Sequence, residues 1–155
     1  MSPTIASSAR GLTKVYGRGA AEVHALDGVD VDFAAGAFTA IMGPSGSGKS
    51  TLMHLLAGLD AATSGTVRLG ETVLSGLDDD ALTRLRRDRV GFVFQSFNLL
   101  PMFTAQQNVL LPLDLAGARP DEAWLGQLVA TLSLGDRLEH RPSELSGDRK
   151  STRLN

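Results

Sequence analysis

The first forty residues alternate apolar and polar positions in the manner of strands. Val29, Val31 and Phe33 interleave with Asp30 and Asp32, the period-two pattern of a strand with one buried face. Gly17, Gly19 and Gly36 punctuate the stretch, so it reads as strands and turns. Residues 37–42, A-F-T-A-I-M, form a short apolar run expected to be a buried strand. The period then changes, and Leu52, Leu55, Leu56 and Leu59 fall on one helical face. Two short runs around Gly70 predict a hairpin over residues 66–74. Asp78, Asp79 and Asp80 place carboxylates at the start of a short helix, where the helix dipole favours them. Residues 90–94 predict a second buried strand, which delivers Gln95 at its end. From residue 96 the pattern turns helical. Thr104 and Gln107 have capping-box spacing, and Pro112 is expected to kink or end the helix they open. Pro120, Asp121 and Glu122 open the next, with Leu125, Leu128, Val129 and Leu132 as its apolar stripe. Trp124 is expected at the stripe's edge, and Gly135 is the expected stop.

Between the first apolar run and its helix, residues 43–51 read G-P-S-G-S-G-K-S-T. This is glycine, four residues, then Gly-Lys-Ser, set between a predicted strand and a predicted helix, the context a phosphate-binding loop requires. Backbone N–H groups of such a loop curl around phosphate oxygens, and the helix N-terminus adds partial positive charge. Lys49 is placed to reach the β- and γ-phosphates, and the Ser50 hydroxyl to ligate Mg²⁺.

Composition narrows the partners. Of 155 residues 43% are hydrophobic, enough for the core of one domain, and the formal charge is −2, which opposes a general nucleic-acid binder. No apolar run approaches the roughly 18 residues of a membrane span. No N-terminal basic segment leads into an apolar stretch as in an export signal. Without cysteine, neither a disulfide nor a zinc–thiolate site is available. Arg84, Arg86, Arg87 and Arg89 are read as cations at the C-terminal pole of a short helix rather than as a phosphate patch. His24, His54 and His140 share no metal-ligand spacing and are read as structural or surface residues.

Several segments in fixed order carry a family resemblance. K-V-Y-G at 14–17 and V-H-A-L-D-G-V at 23–29 precede the glycine loop. A-G-L-D-A-A-T-S-G at 57–65, F-V-F-Q-S-F-N-L-L-P at 92–101 and L-S-G at 145–147 follow it. Over about residues 5–147 the chain resembles the nucleotide-binding subunit of an ABC transporter, in particular the macrolide-exporter and lipoprotein-releasing type. The resemblance implies an α/β fold: a P-loop NTPase core with an N-terminal antiparallel β subdomain and an α-helical subdomain, incomplete at the C-terminal side. Residues 1–95 would form the first part of the core and 96–147 the helical subdomain. By resemblance Tyr16 stacks on adenine, although alone it reads as a strand-surface tyrosine. Gly43, Ser45, Gly46, Ser47, Gly48, Lys49, Ser50 and Thr51 bind the nucleotide phosphates. Gln95 joins Ser50 at the metal and relays nucleotide state; alone it is a polar strand end. Ser146 and Gly147 begin the signature that touches ATP held by the opposite subunit. A second L-S-G, at 74–76, is read as a turn.

The implied cofactors are ATP and Mg²⁺. The implied partners are a transmembrane permease subunit and a second ATPase subunit in a homodimer, with no nucleic acid and no membrane insertion of its own. The implied place is cytoplasmic, peripheral on the inner face of the plasma membrane. Cell-division ATPases of the same family with a membrane partner, and soluble non-transport members, share these motifs. The pattern also breaks. Asp148 and Arg149 stand where the signature continues with glycine and glutamine. No residues match the Walker B aspartate, the catalytic glutamate or the switch histidine, so no catalytic residue is assigned. Hydrolysis is expected of a longer parent, with weak nucleotide binding and no turnover by these residues alone. Residues 148–155, D-R-K-S-T-R-L-N, can be encoded by a codon string that matches a common sequencing adapter, and are expected to be foreign to the gene.

Overall fold

A computed structural model describes residues 4–94 and 97–145. They divide into two compact units between Arg86 and Arg87.

The first unit is built on an antiparallel sheet of order β2-β1-β3-β4. Its strands are β1 (Ile5–Tyr16), β2 (Val23–Ala34), β3 (Ser64–Leu69) and β4 (Thr72–Val73). β1 is central, with Ala9 opposite Val31 of β2 on one side and Val67 of β3 on the other. The alternation read in β2 is observed: Val29, Val31 and Phe33 are half-buried, and Asp30 and Asp32 are exposed. Helix α1 (Lys49–Leu56) lies on the sheet and buries Leu52 and Leu55 against Ala9, Leu12, Leu26, Val67 and Leu74. Burial of leucines such as Leu12 and Leu55 stabilises the unit by about 2 kcal/mol each. α1 is shorter than its apolar stripe. Gly58 (φ 65°) turns the chain, its N–H bonding Leu55 O (3.1 Å) and that of Leu59 bonding His54 O (2.8 Å), so Leu59 leaves the face and is exposed. The hairpin around Gly70 forms as expected, and the L-S-G at 74–76 is a turn whose Leu74 is core. Helix α2 (Asp79–Arg89) starts where expected, with Asp78 Oδ1 accepting from Ala81 N (2.7 Å).

Both buried strands predicted outside this sheet are absent. Residues 37–42 and 90–94 adopt no strand, and Phe38, Met42 and Val93 are almost wholly exposed. A central strand needs a neighbour on each side for its N–H and C=O groups. None of the described strands pairs with either run.

In the second unit, α3 (Ala105–Ala116) opens with the expected capping box: Gln107 N donates to Thr104 Oγ1 (3.2 Å) and Thr104 N to Gln107 Oε1 (2.9 Å). The helix does not end at Pro112. The proline forfeits one N–H bond, but the next turn closes on Gly117 (φ 64°), with Gly117 N on Asp114 O (3.1 Å) and Ala118 N on Leu113 O (2.9 Å). α4 (Glu122–Thr131) is capped by Asp121, which accepts from Trp124 N (3.0 Å). Its stripe is half-buried at Leu125, Leu128 and Val129, but Leu132 and Trp124 are exposed. The expected stop at Gly135 falls two residues late. Ser133 (φ 52°) takes the left-handed position, with Ser133 N on Ala130 O (3.1 Å) and Leu134 N on Val129 O (2.9 Å). Leu134 is buried, and seating it there fixes the turn at Ser133.

Candidate functional site

The glycine loop meets α1 at Gly48, the N-cap, in a left-handed conformation (φ 83°, ψ 1°). Only glycine fits there. A Cβ would collide with the carbonyl of Ala25 and lie 2.9 Å from a Leu26 methyl group, so the loop is pressed against β2. No side chain caps α1. Among the described residues no acceptor meets the N–H groups of Lys49, Ser50 and Thr51, the first turn that a helix leaves open. Three N–H donors at the positive pole of a helix thus face outward beside an exposed loop.

Lys49 folds back over the loop. Its Nζ donates to Gly43 O (3.0 Å), Pro44 O (2.6 Å) and Ser47 Oγ (3.3 Å). None of these partners is charged, and Lys49 takes part in none of the ion pairs among the described residues. The Ser47 N–H closes the turn on Pro44 O (3.3 Å). Ser50 is exposed in the first helical turn, Thr51 half-buried, and Ser45 and Gly46 exposed at the loop's tip. A cation held by neutral oxygens, next to unpaired N–H groups, has the chemistry to attract an anion with several oxygens.

Tyr16 ends β1 opposite Val23, two strand residues or about 7 Å from Ala25, where Gly48 makes its contact. The sheet register therefore brings Tyr16 and the loop to the same end of β2. Tyr16 is 41% exposed. Its hydroxyl donates to Asp60 Oδ2 (2.9 Å), and Lys14 Nζ sits 4.8 Å from the ring centroid. Lys14, whose side chain is only 12% exposed, also donates to Asp60 Oδ1 (2.7 Å) and Ala61 O (2.7 Å). The Lys14 hydrogen bond, helped by those from Tyr16 and the Ala61 N–H, holds the Asp60 carboxyl below its ordinary range against the opposing pull of desolvation. Sequence reading missed Asp60, which lies 44 residues from Tyr16.

Gln95, Ser146, Gly147 and the segment 148–155 lie outside the described residues. In the second unit, Asn108 is a second residue that sequence reading missed. Its side chain is 1% exposed and fully bonded: Oδ1 accepts from Leu100 N (2.8 Å), and Nδ2 donates to the carbonyls of Leu100 (3.1 Å), Phe103 (3.3 Å) and Thr104 (3.0 Å). It fastens residues 100–104 onto α3. The arginine cluster serves structure: Arg86 donates to Gly58 O and Thr83 Oγ1 (2.9 Å), and Arg87 pairs with Asp88 (2.7 Å).

Comparison with known proteins places the chain in a family. The chain is 49% identical over 149 residues to a macrolide export ATP-binding/permease protein MacB of Marinobacter nauticus, covering 95% of this chain and 23% of that protein. It is 45% identical over 138 residues to a lipoprotein-releasing system ATP-binding protein LolD of Geobacter metallireducens, covering 88% of this chain and 61% of that one. The chain thus spans under two thirds of the length of either relative. Among solved structures, the dimeric post-hydrolysis state of the ATP-binding cassette MJ0796 bound to ADP and Pi superposes with a TM-score of 0.79 at 39% identity, over 93% of this chain and 65% of that one. The fold is therefore that of an ABC ATPase cassette. With the ABC transporter family model matching residues 26–154, from within β2 through the glycine loop and helices α1 to α4, this chain belongs to the ABC transporter family.

Proposed function

We propose that this chain binds Mg²⁺–ATP in the loop of residues 43–51 and belongs to the nucleotide-binding part of an export-type ABC transporter. The observation that carries the reading is the open first turn of α1 behind a loop whose lysine has only neutral partners. The β- and γ-phosphates take the place of Gly43 O, Pro44 O and Ser47 Oγ as acceptors for Lys49. That exchange replaces neutral contacts with charge-assisted ones. The N–H groups of Gly46, Gly48, Lys49, Ser50 and Thr51 point at the phosphate oxygens. Ser50, with an exposed hydroxyl in the first turn, fits a magnesium ligand, with Gln95 as its companion; the ion neutralises phosphate charge when bound. Tyr16 offers its exposed ring to the adenine.

In the whole protein, two such subunits face one another and Ser146 and Gly147 of each contact the ATP of the other. Their closure on ATP drives a transmembrane permease from the inner face of the plasma membrane, and hydrolysis reopens them. The printed names of the relatives, a macrolide exporter and a lipoprotein-releasing system, support export. The dimeric cassette among the structural neighbours supports the pairing. Titration calorimetry with ATP and with AMP, each with Mg²⁺, tests the site. ATP should bind at least about 100-fold more tightly, since AMP lacks the phosphates that Lys49 contacts. Equal affinities would overturn the reading.

A further inference from the structure

Asp60 engages both of its carboxylate oxygens. Oδ2 accepts from the Tyr16 hydroxyl (2.9 Å), and Oδ1 accepts from Lys14 Nζ (2.7 Å) and Ala61 N (2.7 Å). Lys14 then bridges back, with its ammonium 4.8 Å from the centre of the Tyr16 ring. Strand geometry brings Lys14 and Tyr16, two apart on β1, to one face of the sheet. The turn after α1 supplies Asp60. The three side chains close a loop of contacts around one ring. A tyrosine recruited only for packing buries its ring. Here the hydroxyl is tied to a carboxylate while the residue stays 41% exposed, next to the strand residues on which the phosphate loop rests.

We propose that Asp60, with Lys14, is a positioning pair for nucleobase recognition: it holds the Tyr16 ring in a single orientation, with one face covered by the ammonium and the rest free to receive a purine. The proposal rests on the reading of Tyr16 as the nucleobase platform. An aromatic side chain at a strand end loses rotamer freedom when a base stacks on it, and fixing the ring beforehand removes that cost from binding. A hydroxyl–carboxylate bond is charge-assisted and well suited to the task. The ammonium leaves the covered face unavailable to a second aromatic ring.

The experiment compares Mg²⁺–ATP with inorganic tripolyphosphate, which has the phosphates and no base, on the full chain and four variants. Tyr16→Phe keeps the ring and the Lys14–Asp60 pair and removes only the tether. It should weaken ATP about 3- to 10-fold and leave tripolyphosphate unchanged. Asp60→Asn should do the same. Tyr16→Ala should weaken ATP at least as much, and Asp60→Asn added to Tyr16→Ala should cost no further affinity for ATP. If Tyr16→Ala weakens ATP but Tyr16→Phe does not, the positioning role is overturned and the platform stands. If Tyr16→Ala has no effect on ATP, the platform falls, and the positioning role with it. Parallel losses for both ligands would mark Asp60 as merely structural and overturn the proposal. Should Asp60→Asn fail to fold, Tyr16→Phe decides alone.

Discussion

Helices α1 and α3 begin in opposite ways. At α3 every early N–H has a protein acceptor: Ala105 N donates to His140 O (2.8 Å), Gln106 N to Leu138 O (2.9 Å) and Gln107 N to Thr104 Oγ1 (3.2 Å). At α1 the N-cap is a glycine without a side chain, and among the described residues Lys49, Ser50 and Thr51 have no acceptor for theirs. A helix start normally draws about 1 kcal/mol from its cap. α1 forgoes this and compensates by burying Leu52 and Leu55 on the sheet. The comparison sets a helix end finished for stability against one left open, the end proposed to receive the phosphates.

Four substitutions break or sharpen that contrast. Asn108→Ala removes four hydrogen bonds from a buried site beside the finished end and leaves the Leu100 N–H unpaired. It should destabilise the second unit by about 3 kcal/mol in a denaturant titration, with ATP affinity at the loop unchanged. Lys49→Ala should do the reverse. Its loop partners are exposed and water replaces it, so thermal unfolding stays within about 0.5 kcal/mol while calorimetry records an ATP affinity lower by about 100-fold. Thr104→Ala deletes the α3 cap and should cost about 1 kcal/mol of stability. Ser133→Gly relieves a left-handed serine at the end of α4 and should raise stability by about 0.5 kcal/mol, read as a higher unfolding midpoint.

What the sequence made legible was local. The glycine loop, the Thr104–Gln107 box, the Asp78 and Asp121 caps and the Gly70 hairpin each depend on residues a few positions apart. Asp60 and Asn108 were not legible. The first acts through a tyrosine 44 residues away, and the second through a loop that folds back onto its own helix. Glycine frequency pointed to Gly135 as the end of α4, but burial of Leu134 sets the turn at Ser133. Residues 37–42 and 90–94 had strand composition, yet composition does not supply the neighbouring strand that pairing requires. Phe38, Met42, Val93 and Phe94 are left exposed, the condition that invites edge pairing between chains and aggregation.

The open N–H groups of α1 are the proposed phosphate cradle. Backbone amide resonances followed by two-dimensional NMR while Mg²⁺–ATP is added test this directly. The predicted result is that the largest shifts fall on Gly46, Gly48, Lys49, Ser50 and Thr51, while Ala105, Gln106 and Gln107 at the finished end of α3 stay in place. Nucleotide binding that leaves the α1 amides unmoved, or moves those of α3 equally, would contradict it.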